Sequence, residues 1–215
     1  MTPSQTNNEK TLSRREREKL AHRLEIMDAA THVFSRKGYH NATLDEIAQE
    51  AEFSKGALYL YFSSKEDLLF SIMCEKLEVL KLTIPAIFSS GSSFKEELTN
   101  LFLSLADTSF TEADFFSLVI SQKTACFHAL SEEKAAECIA QHAEFDDMII
   151  ERIKKAIENK ELRDIDPHAI YGVIHGASEN MMYSRWNAET AEELKKRVYL
   201  FIDILCGGIV REKEV

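Results

Sequence analysis

Glycine and proline are scarce in this chain, seven and three in 215 residues, and the alternation of β-branched residues that marks strands is absent. A sheet-based fold is therefore not expected. The four cysteines, Cys74, Cys126, Cys138 and Cys206, lie far apart without CxxC spacing, so no disulfide framework is read from them. Each falls in an apolar helical pattern and reads as a small buried hydrophobe. No apolar run is long enough to span a bilayer and no secretory signal is read, which predicts a reduced, soluble, cytoplasmic protein without a membrane partner. Phosphate-binding glycine loops, a nucleophile elbow and paired catalytic motifs are missing too, so no enzyme activity, catalytic residue or cofactor is assigned. Basic charge is in deficit, 26 Lys and Arg against 36 Asp and Glu. Taken alone, a net charge of −10 argues against nucleic acid as a partner.

That average hides a split. Lys10 to Lys65 hold 10 basic and 8 acidic residues, a local +2, whereas residues 68–215 hold 16 basic and 25 acidic, a local −9. Apolar residues make up 45% of the chain and recur at spacings of three and four, which predicts an all-α fold with a sizeable core. Residues 1–13 are polar and read as a disordered tail. A first helix is predicted over 14–37, with Leu20, Leu24, Met27, Ala30 and Phe34 on one face and Gly38 ending it. Thr43 and Glu46, spaced as a capping box, open a helix over 44–50; Ser54 opens one over 55–62; Ser64, with Asp67 three residues on, opens a longer helix from Lys65. The expected division is a helical head over 14–64 and a helical-bundle body over 65–215. Two short helices between two long ones form a compact four-helix head, and Pro85 with the run Ser89-Ser90-Gly91-Ser92-Ser93 marks the expected break after the helix from Lys65. Body helices are predicted near 94–107, 113–129, 132–160, 167–186 and 189–211.

The segment TLDEIAQEAEFSKGALYLYF, residues 43–62, reads as a helix-turn-helix. Ile47, Ala48 and Ala51 give the first helix a narrow apolar face, and Phe53 fills the corner. In the second helix Leu58 and Phe62 stand four apart and share the inward side, so at about 100° per residue Leu60 points outward. Gly56 lies on that outer side with Ala57 and Tyr59 flanking it. Such a surface suits the floor of a DNA major groove, where Leu60 meets a thymine methyl. Thr43 and Ser54 at helix starts, with Lys55, Tyr59, Tyr61 and Lys65 at the edges, supply donors and positive charge for phosphates. Arg14, Arg15, Arg17, Lys19 and Arg23 are in position to extend along the backbone or into a minor groove, although Glu16 and Glu18 interleave with them.

On Thr43, Ile47, Ala48, Ala51, Ser54, Gly56, Leu58, Tyr59, Tyr61, Phe62, Ser64, Lys65 and Leu68, the segment resembles the DNA-binding head of the tetracycline-repressor (TetR) family. The resemblance covers residues 20–70. It implies that Thr43, Ser54, Lys55, Gly56, Ala57, Tyr59, Leu60, Tyr61 and Lys65 contact double-stranded DNA, the second short helix reading bases, and that the body forms a dimer interface and an effector pocket. Two departures stand out. Glu52 occupies the usual turn glycine and Phe53 the usual valine, so Glu52 has to adopt the turn conformation while placing a carboxylate near DNA.

In the body, Gly172, Gly176, Ala177 and Ser178 permit close helix approach, and Val198, Phe201, Ile202, Leu205 and Ile209 line one face of the last helix, which together predict a homodimer. Effector-binding candidates are Phe102, Phe115, Phe116, Phe127, His128, Met148, Tyr171, His175, Glu179, Met182, Tyr183 and Trp186, of which His175 and Glu179 are polar groups inside apolar stretches. A pocket of this composition favours an unidentified small apolar or aromatic effector. The whole predicts a ligand-responsive regulator, a repressor of a palindromic operator. The competing class is a small-molecule-binding or metal-sensing helical protein with little DNA binding. For metal, Cys138, His142 and Asp146 are spaced along one helix with Cys126 and His128 nearby, but no dense cluster forms and no metal ligand is assigned.

Overall fold

The computed structural model describes residues 13–89, 91–118 and 129–209, and these are helical apart from their connections. The predicted tail at 1–13 lies outside the described residues but for Ser13. Helix α1 (Arg14–Lys37) starts on a capping box, the Ser13 hydroxyl accepting from Glu16 N–H while the Glu16 carboxylate accepts from Ser13 N–H. It stops at Gly38, whose φ of +83° carries the chain out of the helix. Then come α2 (Leu44–Glu50), α3 (Lys55–Leu58), α4 (Lys65–Phe88), α5 (Phe94–Thr111), a stretch at 113–118 termed α6, α7 (Glu132–Glu158), α8 (Pro167–Ser184) and α9 (Ala191–Ile209).

Two expectations about helix ends are corrected. The second short helix closes at Leu58 rather than Phe62. Leu60 N–H donates to Ala57 O and Tyr61 N–H to Leu58 O, the tighter three-residue spacing that ends many helices. Pro85 does not interrupt α4. It sits in the last turn, where its missing N–H costs one bond to the carbonyl four residues back while the helix runs on to Phe88, and the Ser89 N–H donates to the Pro85 carbonyl at 2.9 Å.

Burial gathers the apolar side chains into two cores. The head core holds Ile26, Val33, Phe34, Ile47, Leu58, Phe62, Leu68 and Ile72, and is completed by Leu118, Leu130 and Cys138 from beyond α4. The body core holds Ile84, Phe94, Leu98, Phe102, Ile153, Ile174, Met181, Val198 and Ile202. Each large side chain fully buried there is worth about 1.5–3 kcal/mol of transfer free energy. Helix α4 serves both, its first turns in the head and Ile84 in the body. Polar contacts reinforce the seam. His32 Nδ1 lies 2.7 Å from Asp114 and Ser35 Oγ donates to the same carboxylate at 3.1 Å. Glu66 accepts from Ser131 N–H at 2.9 Å.

The predicted interface stripe on the last helix is also corrected. Val198, Ile202 and Leu205 are buried in the chain's own core, and Phe201 packs on Phe102 with ring centroids 5.0 Å apart. The apolar face left uncovered is the adjacent one. Tyr199, Leu200 and Ile204 are 54, 61 and 69% exposed, and on α8 Val173 is exposed beside Gly172 and Gly176, where a Cβ would meet nothing within 4 Å. A helix with two apolar stripes buries one at home, and periodicity alone does not say which. The side chain of Ile209 lies outside the described residues.

Candidate nucleic-acid interface

The turn between α2 and α3 is built on Glu52, whose φ of +59° places a non-glycine residue in the left-handed region. Glu52 N–H donates to Gln49 O and Phe53 N–H to Ala48 O, which closes the end of α2. The carboxylate side of Glu52 is exposed to solvent. Phe53 fills the corner as expected, edge-on to His22 at 5.2 Å and to Tyr61 at 6.3 Å between centroids. Leu58 and Phe62 are 0 and 1% exposed and anchor α3 inward, while Leu60 is 79% exposed. Gly56 is exposed with nothing within 4 Å of its missing Cβ. The outer surface thus has the flat, apolar character that the spacing predicted.

Around this surface the hydroxyls serve as caps. Thr43 Oγ1 accepts from Glu46 N–H at 3.3 Å and Ser54 Oγ from Ala57 N–H at 3.1 Å. A capping hydroxyl spends a lone pair, which leaves its O–H able to donate to an anion. Tyr59 is about half exposed at the end of α3. Lys55 pairs with Asp45 at 2.6 Å, both side chains more than half exposed, and this carboxylate holds the lysine pKa above its ordinary value.

Three basic or phenolic groups face inward more than expected. Lys65 Nζ donates to the carbonyls of Tyr39, His40 and Ala42 at 2.7, 3.1 and 2.9 Å and lies over the Tyr39 ring. It thereby ties down the α1–α2 connection, and burial lowers its pKa. Arg23 turns into the head, donating to Ser71 Oγ at 2.7 Å and stacking 4.5 Å over Phe62, so it is not part of an outer basic arm. Its register was legible, since Arg23 shares the buried stripe of Ile26, Ala30 and Phe34. The Tyr61 hydroxyl lies 3.0 Å from His22 Nδ1.

The profile described as bacterial regulatory proteins, tetR family, matches residues 26–72, which span α2, α3, the turn at Glu52 and Lys65. The HTH-type transcriptional regulator YfiR of Bacillus subtilis (strain 168) is 30% identical over 151 residues, 67% of this chain and 70% of that protein. The chain belongs to the TetR family. As a TetR-family regulator it resembles a solved TetR/AcrR-family transcriptional regulator from Thermobifida fusca YX-ER1 along most of its length. The two are 27% identical with a TM-score of 0.65, covering 87% of this chain and 98% of the other. The likeness to the fatty acid metabolism regulator protein of Bacillus subtilis (strain 168) is shorter, 43% over 54 residues, 25% of this chain and 28% of that protein. Among the described residues of this TetR-family chain no helix is long and apolar enough to cross a membrane.

The predicted effector residues are dispersed. Phe102 is fully buried in the body core, Tyr171 packs against that core, and Met148, His175 and Met182 are partly buried. The Tyr171 and His175 rings lie 5.4 Å apart. Phe116 instead stacks edge-on with Phe115, which packs on the head core, and Glu179 is exposed. Phe127, His128 and the side chains of Tyr183 and Trp186 lie outside the described residues.

Proposed function

We propose that this chain is a ligand-responsive repressor that binds a palindromic operator as a homodimer through residues 14–64 and carries its effector and dimer surfaces in residues 65–215. The carrying observation is Leu60, 79% exposed beside an open Gly56 while Leu58 and Phe62 lock the same segment into the core. Displaying a large apolar side chain there gains the free protein nothing, and a major-groove floor with thymine methyls is the partner that rewards it. In this reading Leu60, Gly56 and Ala57 face bases, Thr43, Ser54, Lys55 and Tyr59 hold phosphates, and Tyr61 is held back against His22. Lys65 belongs to the site from behind, fixing the backbone that presents Thr43.

A two-fold pair of heads matches successive major grooves about 34–36 Å apart. The exposed stripe of Val173, Tyr199, Leu200 and Ile204 is the surface on which the two copies meet. A small apolar or aromatic effector held near Phe102, Met148, Tyr171, His175 and Met182 acts on α7, which packs on both α4 and α8, and α4 enters the head core. To release the operator it must bind the two head spacings with different affinity. Fluorescence anisotropy of the protein with its own upstream DNA and with random DNA, over a salt series, tests the reading. Salt-dependent binding that prefers the upstream DNA is expected. A monomer with no salt-dependent affinity for either DNA refutes it.

A further inference from the structure

We infer that His142, Asp146 and His175 form a binding site for a divalent first-row transition metal at the seam between α7 and α8. One ligand atom from each residue lies within 4.8 Å of the others. His142 and Asp146 are one turn apart on α7, with His142 Nε2 3.7 Å from Asp146 Oδ1. Around a tetrahedral zinc ion with bonds of about 2.1 Å, neighbouring ligand atoms stand about 3.4 Å apart. The α7 pair is therefore already near the required separation, and His175 has to move inward by an amount that ring rotation supplies.

What separates this from an ordinary His–Asp ion pair is the second helix. Tyr171 and His175, one turn apart on α8, converge on the same carboxylate. The Tyr171 hydroxyl donates to Asp146 Oδ1 at 2.5 Å, and the His175 ring stands edge-on to His142 at 6.0 Å between centroids. Phe145 stacks on the other imidazole at 5.8 Å. A phenol hydrogen-bonded to a ligating carboxylate is an outer contact of the kind that orients metal ligands, and the neighbouring rings pack the imidazoles beside it. Two imidazoles with one carboxylate select Zn, Fe, Co or Ni over Ca or Mg, and three protein ligands leave a position open to water or a small-molecule donor. Cys138 takes no part. It is buried in the head core.

A bound ion fastens α7 to α8, and because α7 also packs on α4, occupancy biases the position of the head. That consequence rests on the DNA-binding reading; metal binding itself does not. The test is titration of the EDTA-stripped full chain with Zn²⁺ against a chromophoric chelator. One Zn²⁺ per chain is expected, with His142→Ala and His175→Ala each weakening affinity by about 100-fold and Tyr171→Phe by about 10-fold. His168→Ala and Cys138→Ala should leave it unchanged. The three site side chains, His142, Tyr171 and His175, are at least partly exposed, and melting curves of all the variants, with His175→Gln as a second substitution, test that they fold. Absence of binding by the wild type, binding indifferent to both histidine variants, or loss on Cys138→Ala overturns the site. Zinc binding without DNA affinity leaves the site standing and removes its regulatory role, whereas DNA binding without zinc binding overturns the site and leaves the DNA-binding reading standing.

Discussion

Replacing Arg152 by Met should destabilise the body by about 3 kcal/mol at neutral pH, the lower end of the range for breaking a buried ion pair. Arg152 Nε donates to Glu97 Oε2 at 2.6 Å, and the two side chains are only 12 and 2% exposed. Its Nη2 reaches Glu161 at 3.4 Å, Glu161 in turn accepts from Phe94 N–H at 2.6 Å, and the guanidinium covers the Phe94 ring. Removing the cation leaves the Glu97 carboxylate buried without its counter-charge. The estimate stays low because Arg152 Nη1 is itself buried without a hydrogen-bond partner among the described residues, so the substitution also deletes an unsatisfied donor. The pH dependence has a definite sign. Burial pushes the Glu97 carboxyl above its ordinary value against the opposing pull of Arg152. A raised carboxyl in the folded state favours the protonated form, so its contribution is most favourable below the unfolded value and falls as pH rises through the folded one. Without Arg152 the upward shift grows, and the deficit should shrink on acidification. Urea denaturation at fixed protein concentration, for wild type, Arg152→Met and Arg152→Met with Glu97→Leu, measures this. The double variant should recover most of the loss. A single-variant deficit below about 1 kcal/mol, or a double variant no better than the single, refutes the reasoning.

Glu52→Gly relieves a left-handed residue and removes a carboxylate beside the recognition surface; thermal melting should show a gain of about 0.5–1 kcal/mol, and anisotropy should show tighter DNA binding. Lys65→Met strips three backbone carbonyls of their donor and should lower stability by about 2 kcal/mol in urea titrations, so its effect on DNA binding arises through the fold. Leu60→Ala should leave the urea midpoint within error while changing base preference by about 1 kcal/mol per half-site in competition binding. Ile204→Asp should yield folded monomers in analytical ultracentrifugation, whereas an unchanged dimer would place the interface elsewhere.

The head was legible because its signals are local. The capping box at Thr43 and the hydroxyl caps at Ser54 and Ser64 set helix starts to the residue, and a four-residue spacing of Leu58 and Phe62 fixed which way Leu60 points, whereas the Ser13 capping box that starts α1 reads from the sequence as part of the tail. What failed to show were choices between equivalent faces and partners distant in sequence. The last helix carries two apolar stripes, and only packing against α5 decides that Val198 and Ile202 go inward while Leu200 and Ile204 stay out. Lys65 gives no hint, as the residue opening a helix, that three carbonyls more than twenty residues upstream will claim its ammonium.

The same distinction bears on how an acidic chain presents a DNA-binding surface. Counting charges assigned the N-terminal segment a small positive excess, but several of those cations are spent internally: Arg23 on Ser71, Lys37 on Glu46, Arg36 on Glu50, Lys55 on Asp45 and Lys65 on backbone carbonyls. Net charge is therefore a poor measure of what a phosphate meets. Exposed pairs such as Lys55–Asp45 add little and can reopen, whereas Lys65 and Arg23 are held by partly buried partners. The electrostatic part of the interface thus narrows to exposed cations such as Lys55 and those of the first turns of α1, and the hydroxyls of Thr43, Ser54 and Tyr59 must carry more of the phosphate contact. In the salt series this arrangement should appear as a shallow slope per head, since counterion release counts neutralising cations and not hydroxyl donors.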